Sequence, residues 1–205
     1  MKIAVIGSGN IGGRLAKVWG KKGHRIFLGS RNPDEQKVKK LTAESLGNIS
    51  AHTQEDAVKQ ADIILMAVPA SAVYDTVKEL GNIKGKIIID AMNAIFRKPE
   101  PYSKTSEAII AASGNDHIVK CFNSVGAENM DNPKYGNEKA DMFLCGNYEE
   151  DKKLVKQLAE DCGFNVYDIG GIDKEPLTES AAGLWSSLAV GTGLGRNIAF
   201  KILKR

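Results

Sequence analysis

Three closely spaced glycines near the N-terminus have the spacing of a loop that can hold phosphate groups. The segment Gly7–Gly12 reads GSGNIG and matches the pattern GxGxxG. In this pattern Gly7 permits a tight turn, Gly9 lets the backbone approach a pyrophosphate, and Gly12 lets a helix pack closely on a strand. A helix that begins near Asn10 adds unpaired N–H groups and the positive end of its dipole. The segment therefore predicts a site for the pyrophosphate of a dinucleotide.

The residues that follow the second predicted strand select between the two nicotinamide cofactors. An NAD site places Asp or Glu there for the ribose 2′-hydroxyl, whereas an NADP site supplies hydroxyl and cationic donors for the 2′-phosphate. The segment Leu28–Asn32 reads LGSRN, and no acidic residue follows before Asp34. We predict that Ser30 and Arg31 bind the 2′-phosphate of NADP(H), with Lys37 as a third contact one helical turn further on. A solvated turn is the alternative role of Arg31.

The side chains that commonly act as acids, bases or metal ligands are few and scattered. His24 precedes the second strand, on the edge of the sheet remote from the ligand, and is predicted to be structural. His52 follows the short segment Asn48–Ser50 and His117 enters a predicted strand from its N-terminal end, so neither is favoured as an acid or base. The sequence contains no GxSxG elbow, HExxH helix or metal-spaced cluster, which leaves hydrolase and metalloenzyme functions without support. We therefore expect no catalytic side chain and no metal.

Small and polar residues instead follow three of the predicted strands. They form the segments Val68–Ala70, Asp90–Ala94 and Phe122–Ala127. The C-terminal ends of strands in a doubly wound sheet meet at one crevice, so these segments can line a flat pocket over a nicotinamide ring. Such a pocket suits hydride transfer between two cofactors that need only alignment and exclusion of water. Asp90 and Asn93 are equally compatible with ordinary turn formation.

Short apolar runs and helical patterns alternate along the chain, which predicts strands and helices in turn. The segment Asn10–Lys22 carries an amphipathic pattern and ends at Gly23, and Asn32–Asp34 reads as the opening of the second helix. Predicted strands are Ile3–Ile6, Arg25–Leu28, Ile63–Val68, Lys86–Ile89, Ile118–Phe122, Asp141–Cys145 and Asn165–Asp168. Further helices are predicted over about Ala70–Leu80 and around Leu154–Cys162. The segment from about Pro176 to Leu203 is also helical in its apolar spacing, although Gly191, Gly193 and Gly195 interrupt it.

This alternation predicts an α/β protein of the Rossmann type, with a doubly wound, mainly parallel sheet and a C-terminal helical extension. We expect a nucleotide-binding domain over residues 1–170. The remaining segment, 171–205, is expected to pack on it as helix and to contribute to a dimer.

Composition and charge exclude several other classes of protein. The chain has 205 residues, 42% of them hydrophobic, and a formal net charge of 28 − 25 = +3, as expected for an ordinary soluble globular domain. Three widely spaced cysteines without a CxxC pair fit a reducing cytoplasm rather than a disulfide scaffold or a zinc site. No stretch has the composition of a membrane helix, and no basic stripe with interleaved aromatics suggests nucleic acid.

Four segments together resemble the F420-dependent NADP oxidoreductases. They are Gly7–Gly12, Gly29–Pro33, Lys120–Met130 and Gly193–Phe200, and the similarity extends over essentially the whole chain. The last two segments make the resemblance specific to this family, because the first two also occur in pyrroline-5-carboxylate reductases. The family motif Lys-Ala-Phe-Asn-Thr has Cys121 and Ser124 here.

The resemblance implies hydride transfer between NADP(H) and the deazaflavin coenzyme F420, or a similar flavin-type acceptor. It also implies a homodimer, with close helix packing around the C-terminal glycines. Residues implied to bind the cofactor are Ser8, Gly9, Asn10 and Ile11 at the pyrophosphate, Ser30 and Arg31 at the 2′-phosphate, and Val68, Asn93 and Ala127 on the nicotinamide side, where Pro69 adjoins Val68. Two alternatives remain open: an imine reductase of the pyrroline-5-carboxylate type, and an NADPH-binding sensor without turnover.

Overall fold

A computed structural model describes residues 1–43 and 47–205 of the chain. Eight of its strands form one sheet with helices on both faces, and two short strands form a separate hairpin. The strands are β1 Lys2–Ile6, β2 Arg25–Gly29, β3 Ile49–His52, β4 Ile63–Met66, β5 Ile87–Asp90, β6 Ile118–Lys120, β7 Lys134–Tyr135, β8 Glu138–Lys139, β9 Asp141–Gly146 and β10 Asn165–Asp168. The helices are α1 Asn10–Lys21, α2 Gln36–Ala43, α3 Gln54–Gln60, α4 Val73–Glu79, α5 Thr105–Ser113, α6 Glu149–Asp161 and α7 Glu175–Ser186.

The strand order of the large sheet is β10-β9-β6-β5-β4-β1-β2-β3. All neighbours are parallel except β6 and β9, which are antiparallel. The chain moves outward in one direction from β1 through β2 to β3, and then returns to the other side of β1 with β4. This reversal places a crevice at the C-terminal ends of β1 and β4, where open α/β sheets bind ligands. The predicted Rossmann-type, mainly parallel sheet is confirmed.

The central strands are covered by helices on both faces, so most of their buried positions are apolar. In β1 the side chains of Ile3 and Val5 enter one core layer, with Leu15 and Trp19 of α1. Ala4 and Ile6 enter the layer on the opposite face. Burial on both faces therefore explains the continuous apolar run that identified this strand from the sequence.

The second helix begins at Gln36, and the prediction that Asn32–Asp34 opens it is wrong. The Asn32 side-chain oxygen accepts a hydrogen bond from the backbone N–H of Asp34, which closes a local turn. The hydroxyl of Ser30 both donates to the Asn32 carbonyl and accepts from the Asn32 N–H. Asparagine side chains compete in this way with the first turn of a helix.

The helix predicted to Leu203 is also wrong beyond its first half. Helix α7 continues only as a π-helical turn over Ser187–Gly191, and the rest of the chain has no regular helix or strand. Gly193 and Gly195 both take positive φ, a conformation that interrupts a right-handed helix. The chain then packs back on the domain, where the Ile198 carbonyl accepts hydrogen bonds from the indole N–H of Trp185 and the amide of Asn129.

Candidate cofactor-binding site

The glycine loop joins the end of β1 to the start of α1. Gly7 has a φ of +106°, and a Cβ there would lie 2.4 Å from the Ala67 carbonyl oxygen. A Cβ on Gly12 would lie 2.0 Å from the Gly7 carbonyl oxygen, whereas one on Gly9 would meet nothing within 4 Å. Gly7 and Gly12 are thus required by the fold itself. Gly9 leaves open space at the N-terminus of α1, which is the space that a phosphate group would occupy.

A cleft of about 780 Å³ opens above this loop. Its lining includes residues from the ends of three strands, and it brings together seven of the predicted site residues: Gly7, Ser8, Gly9, Ser30, Arg31, Val68 and Pro69. Arg31 is the one cationic side chain among the described lining residues. Sequence reasoning missed five polar residues on the cleft wall, Glu35, Gln54, Asp75, Thr76 and Glu79, because nothing in their local patterns distinguishes them from solvated surface residues.

A second cavity of about 330 Å³ lies beside the same loop, against α1 and α2. Asn10 and Lys37 line it together with Arg14, Lys17 and Lys40. Lys37 therefore faces a different cavity from Ser30 and Arg31, although Ser8 and Gly9 line both. Its contact with a 2′-phosphate stays a prediction.

The predicted nicotinamide side is built around a pair of asparagines at the ends of β5 and β6. The Asn93 amide donates to the Asn123 carbonyl oxygen at 2.9 Å, and the Asn123 amide donates to Asn93 Oδ1 at 2.9 Å and to Thr178 Oγ1 at 3.1 Å. Asn123 Oδ1 is buried and has no hydrogen-bond partner among the described residues. Ala127, also buried, begins a 3-10 turn that follows this segment.

Backbone strain accompanies this pair. Phe122, directly before Asn123, has a φ of +64°, and it is buried in edge-to-face contact with Trp19. A bulky residue in the left-handed region costs about 1–3 kcal/mol, and such residues cluster at functional sites. The strain supports a functional role for the strand end that carries Asn123.

A buried ionic cluster lies beneath the asparagine pair. Lys120 Nζ donates to Asp90 Oδ2 at 3.1 Å and to Oε1 of both Glu175 and Glu179 at 3.0 Å. The side chains of Lys120 and Asp90 are 0% exposed and that of Glu175 is 1% exposed, while that of Glu179 is 16% exposed. Asp90 is thus part of an ionic cluster, in addition to accepting a turn hydrogen bond from the Met92 N–H.

The charges of this cluster follow from burial and proximity. Burial alone would lower the pKa of Lys120, but the three carboxylates that face it raise the pKa instead. Burial raises the pKa of Asp90, against the opposing effect of Lys120. In Glu175 burial is outweighed by Lys120 and by the hydroxyl donors Ser106 and Thr105, so its pKa is lowered. The cluster therefore holds a charged lysine against at least one ionised carboxylate.

Sequence reasoning did not find this cluster. In the sequence Lys120 belongs to a predicted strand and to one of the family segments, and no local pattern assigns a role to Glu175 or Glu179. One signal was available, because Lys120 interrupts the apolar run of the predicted strand Ile118–Phe122, and a charged residue within such a run is unusual.

None of the three histidines is among the residues that line the cleft, although the carbonyl of His52, the last residue of β3, accepts a hydrogen bond from the Ser30 N–H. His24 is buried and bonded to the N-terminal amine and to Asp161, which confirms its structural role. The ring of His117 pairs with Asp151, and His52 contacts the Ser50 hydroxyl. The described residues contain no group of His, Cys, Asp and Glu that could hold a metal ion.

Comparison with known proteins agrees with this geometry. Residues 2–94 match the family described as NADP oxidoreductase, coenzyme F420-dependent. The chain is 29% identical to the F420-dependent NADP reductase of Methanocaldococcus jannaschii over 95% of this chain and 97% of that protein. A crystal structure of a candidate F420-dependent NADP reductase from an Arthrobacter species superposes with a TM-score of 0.87 and 24% identity, with both chains fully covered.

A more distant structural likeness concerns the alternative activity. A reductive aminase from Aspergillus terreus, solved with NADPH, superposes with a TM-score of 0.66 and 15% identity. The match covers 94% of this chain and 61% of that one, and it reports a shared fold alone. The resemblance drawn from the sequence is therefore confirmed: the nucleotide-binding half of this chain matches the F420-dependent NADP oxidoreductase family, and nearly the whole chain is similar to a reductase of that name.

Proposed function

We propose that this protein is an oxidoreductase that transfers hydride between NADP(H) and the deazaflavin coenzyme F420 or a similar flavin-type acceptor. The observation that carries the proposal is the cleft in which the open Gly9 position and the Ser30–Arg31 pair lie together. Similarity to the Methanocaldococcus jannaschii reductase over 95% of the chain supports the choice of acceptor.

The dinucleotide would be held by backbone at one end and by side chains at the other. In this proposal Ser8, Gly9, Asn10, Ile11 and the neighbouring Gly7 and Gly12 form the pyrophosphate cradle at the start of α1. Ser30 and Arg31, with Lys37 from the adjacent cavity, would bind the 2′-phosphate. The nicotinamide side would lie against Val68, Pro69, Asn93 and Ala127.

The proposed reaction requires little of the protein beyond alignment of the hydride donor and acceptor. Bound NADPH supplies the hydride, and the acceptor carries its own electron sink, so the protein needs only to hold the two reacting carbons together and exclude water. Small residues at the strand ends allow two flat rings to approach each other. The proposed hydride transfer therefore needs no side-chain acid.

Anaerobic mixing of the purified protein with NADPH and F420 tests the proposal. We expect rapid bleaching of the F420 absorbance with NADPH and much slower bleaching with NADH; FMN serves as the second acceptor. Intact NADPH binding without bleaching of either acceptor would contradict the proposed function and favour a sensor. Formation of proline from pyrroline-5-carboxylate with NADPH would favour the imine reductase.

We also propose that the protein is a cytoplasmic homodimer. Leu177 and Leu184 lie on one face of α7 and are 59% and 54% exposed. Val190 and Leu194, further along the chain, are also exposed. A second copy that covers the same surface would bury it. All three cysteines are free and buried, as suits a reducing compartment. Sedimentation of wild type and Leu184→Glu tests the dimer: we expect the variant to be monomeric.

None of the described helices is long and apolar enough to cross a membrane.

A further inference from the structure

The ionic cluster around Lys120 has no part in the proposed hydride transfer, yet it lies next to the residues assigned to the nicotinamide. Placing a lysine and three carboxylates together in a protein interior is costly, and an apolar replacement is often as stable. The position of the cluster therefore says more about function than its contribution to stability does.

Two consecutive residues of α7 connect the cluster to the nicotinamide side. Oε1 of Glu179 accepts from Lys120 Nζ and also from the backbone N–H of Ala94, both at 3.0 Å. Thr178 Oγ1, one residue earlier, accepts from the amide of Asn123. Ala94 follows Asn93 in the chain, and Asn123 is bonded to Asn93 twice. Residues of α7 therefore restrain Asn93 in two ways: Glu179 binds the next residue, Ala94, and Thr178 binds its hydrogen-bond partner Asn123.

The ionic cluster also fixes the first turn of α7. Glu175 accepts from Lys120 and Thr105 with Oε1 and from Ser106 with Oε2. Lys120 is at the end of β6, Asp90 at the end of β5, and Thr105 and Ser106 at the start of α5. One ammonium group therefore joins two strand ends to the helix that positions Asn93.

Asn93 retains hydrogen-bonding capacity after these contacts. Its Nδ2 donates once, to the Asn123 carbonyl, and its Oδ1 accepts once, from the Asn123 amide. An amide has two N–H donors and two lone pairs on its oxygen. A half-buried amide with one donor and one acceptor left, and with its orientation fixed, suits the carboxamide of a nicotinamide.

We propose that Lys120 is a positioning residue for the nicotinamide end of the dinucleotide, acting through Glu179 and Thr178 of α7 on Asn93. This inference rests on the proposed NADP(H) site. Lys120 touches neither the cofactor nor the acceptor; it determines where the Asn93 amide lies.

Two ligands distinguish this role from a general structural one. NADP⁺ carries the nicotinamide, whereas ADP-ribose 2′-phosphate has the same phosphates and adenosine without it. Calorimetric titration of both ligands into Glu179→Ala is the primary experiment. We expect about tenfold weaker binding of NADP⁺, from loss of charge-assisted hydrogen bonds, and less than about twofold change for ADP-ribose 2′-phosphate. Glu179→Gln keeps the acceptor and should bind both ligands to within about twofold of wild type.

Lys120 itself is tested against a matched lysine. Lys152, on α6, is also buried and ion-paired, but its partners are Glu149 and Asp168 rather than the carboxylates that face Lys120. We expect Lys120→Met to lose NADP⁺ affinity selectively and Lys152→Met to bind both ligands as wild type does. If Lys120→Met does not fold, Thr178→Val replaces it, with the same selective loss expected.

The possible results separate the inference from the proposed function. Equal weakening of both ligands in Glu179→Ala, or no weakening of either, would overturn the positioning role while leaving NADP(H) binding intact. Failure of the wild-type protein to bind either ligand would overturn the proposed function and the inference with it.

Discussion

Two regions at the C-terminal ends of the sheet strands, which we assign to opposite ends of the dinucleotide, are built from different parts of the chain. The region formed by the ends of β1 and β2 is mostly backbone, with Gly7 and Gly12 in close contact with carbonyl oxygens and Gly9 left open. The region formed by the ends of β5 and β6 is mostly side chain, with an asparagine pair above a buried lysine and its carboxylates. We call the first region the backbone-built half and the second the side-chain-built half. Folding and binding should be sensitive to an added methyl group in the first and to a deleted polar group in the second.

The largest effect is expected on the side-chain-built half. Lys120→Met leaves Asp90 and Glu175 buried without their cation, which should cost about 3–5 kcal/mol in the free energy of unfolding. Lys152→Met should cost about 1 kcal/mol or less, because its partners Glu149 and Asp168 stay solvated, at 82% and 39% exposure. Urea denaturation of both variants measures the difference. Equal losses of stability in the two variants would show that burial of the carboxylate partners does not determine the cost of removing the lysine.

A methyl group added on the backbone-built half should separate folding from binding. Gly12→Ala would place its Cβ against the Gly7 carbonyl oxygen, and we expect a loss of about 3 kcal/mol in stability. Gly9→Ala meets nothing within 4 Å and should fold as wild type does, yet it should weaken NADP⁺ binding by tenfold or more, about 1.4 kcal/mol, by filling the phosphate space. Thermal melts and titrations measure both. Unaltered NADP⁺ binding by Gly9→Ala would contradict the pyrophosphate assignment.

Cofactor choice should change with a single charge. Arg31 is exposed at the end of β2, where Arg31→Asp replaces a cation by the carboxylate typical of NAD sites. We expect NADPH to bind about thirtyfold more weakly, a loss of about 2 kcal/mol, while NADH binds equally well or better. Fluorescence titrations with the two cofactors measure the ratio. An equal loss for both would contradict the assignment of Arg31 to the 2′-phosphate.

The smallest effect concerns pH. Lys120 and the Ser106 and Thr105 hydroxyls overcome burial and hold the pKa of Glu175 below its ordinary value of 4.5. Its ionised form therefore stabilises the folded protein above pH 4.5, and this stabilisation is lost as the pH falls through the lowered pKa. The stability deficit of Glu175→Gln relative to wild type should thus be full above pH 4.5 and shrink below it. A stability deficit that grows in acid would mean that folding raises the pKa of Glu175 instead of lowering it.

The backbone-built half could be predicted from the sequence because its residues are close together in the chain. Gly7 to Gly12 form one motif, and Ser30 and Arg31 follow one strand, so spacing alone indicates the site. The sheet was predictable for a related reason, since burial on both faces leaves apolar runs such as Ile3–Ile6.

The side-chain-built half could not be read in this way. Lys120 meets Asp90 across 30 residues and Glu175 across 55, and no local pattern encodes these contacts. The end of α7 was mispredicted for a similar reason. The apolar residues beyond Gly191 keep helical spacing, but their backbone bonds with Trp185, Asn129 and Asp141 depend on a chain reversal that only the folded structure shows.

The central claim is that one dinucleotide spans the backbone-built half and the side-chain-built half. Hydrogen–deuterium exchange with saturating NADP⁺ and with ADP-ribose 2′-phosphate tests it most directly. We predict that both ligands protect backbone amides in residues 7–12 and 30–31. NADP⁺ alone should further protect residues 93–94, 123–127 and the first turn of α7. Protection by NADP⁺ that goes no further than that of the fragment would contradict the claim.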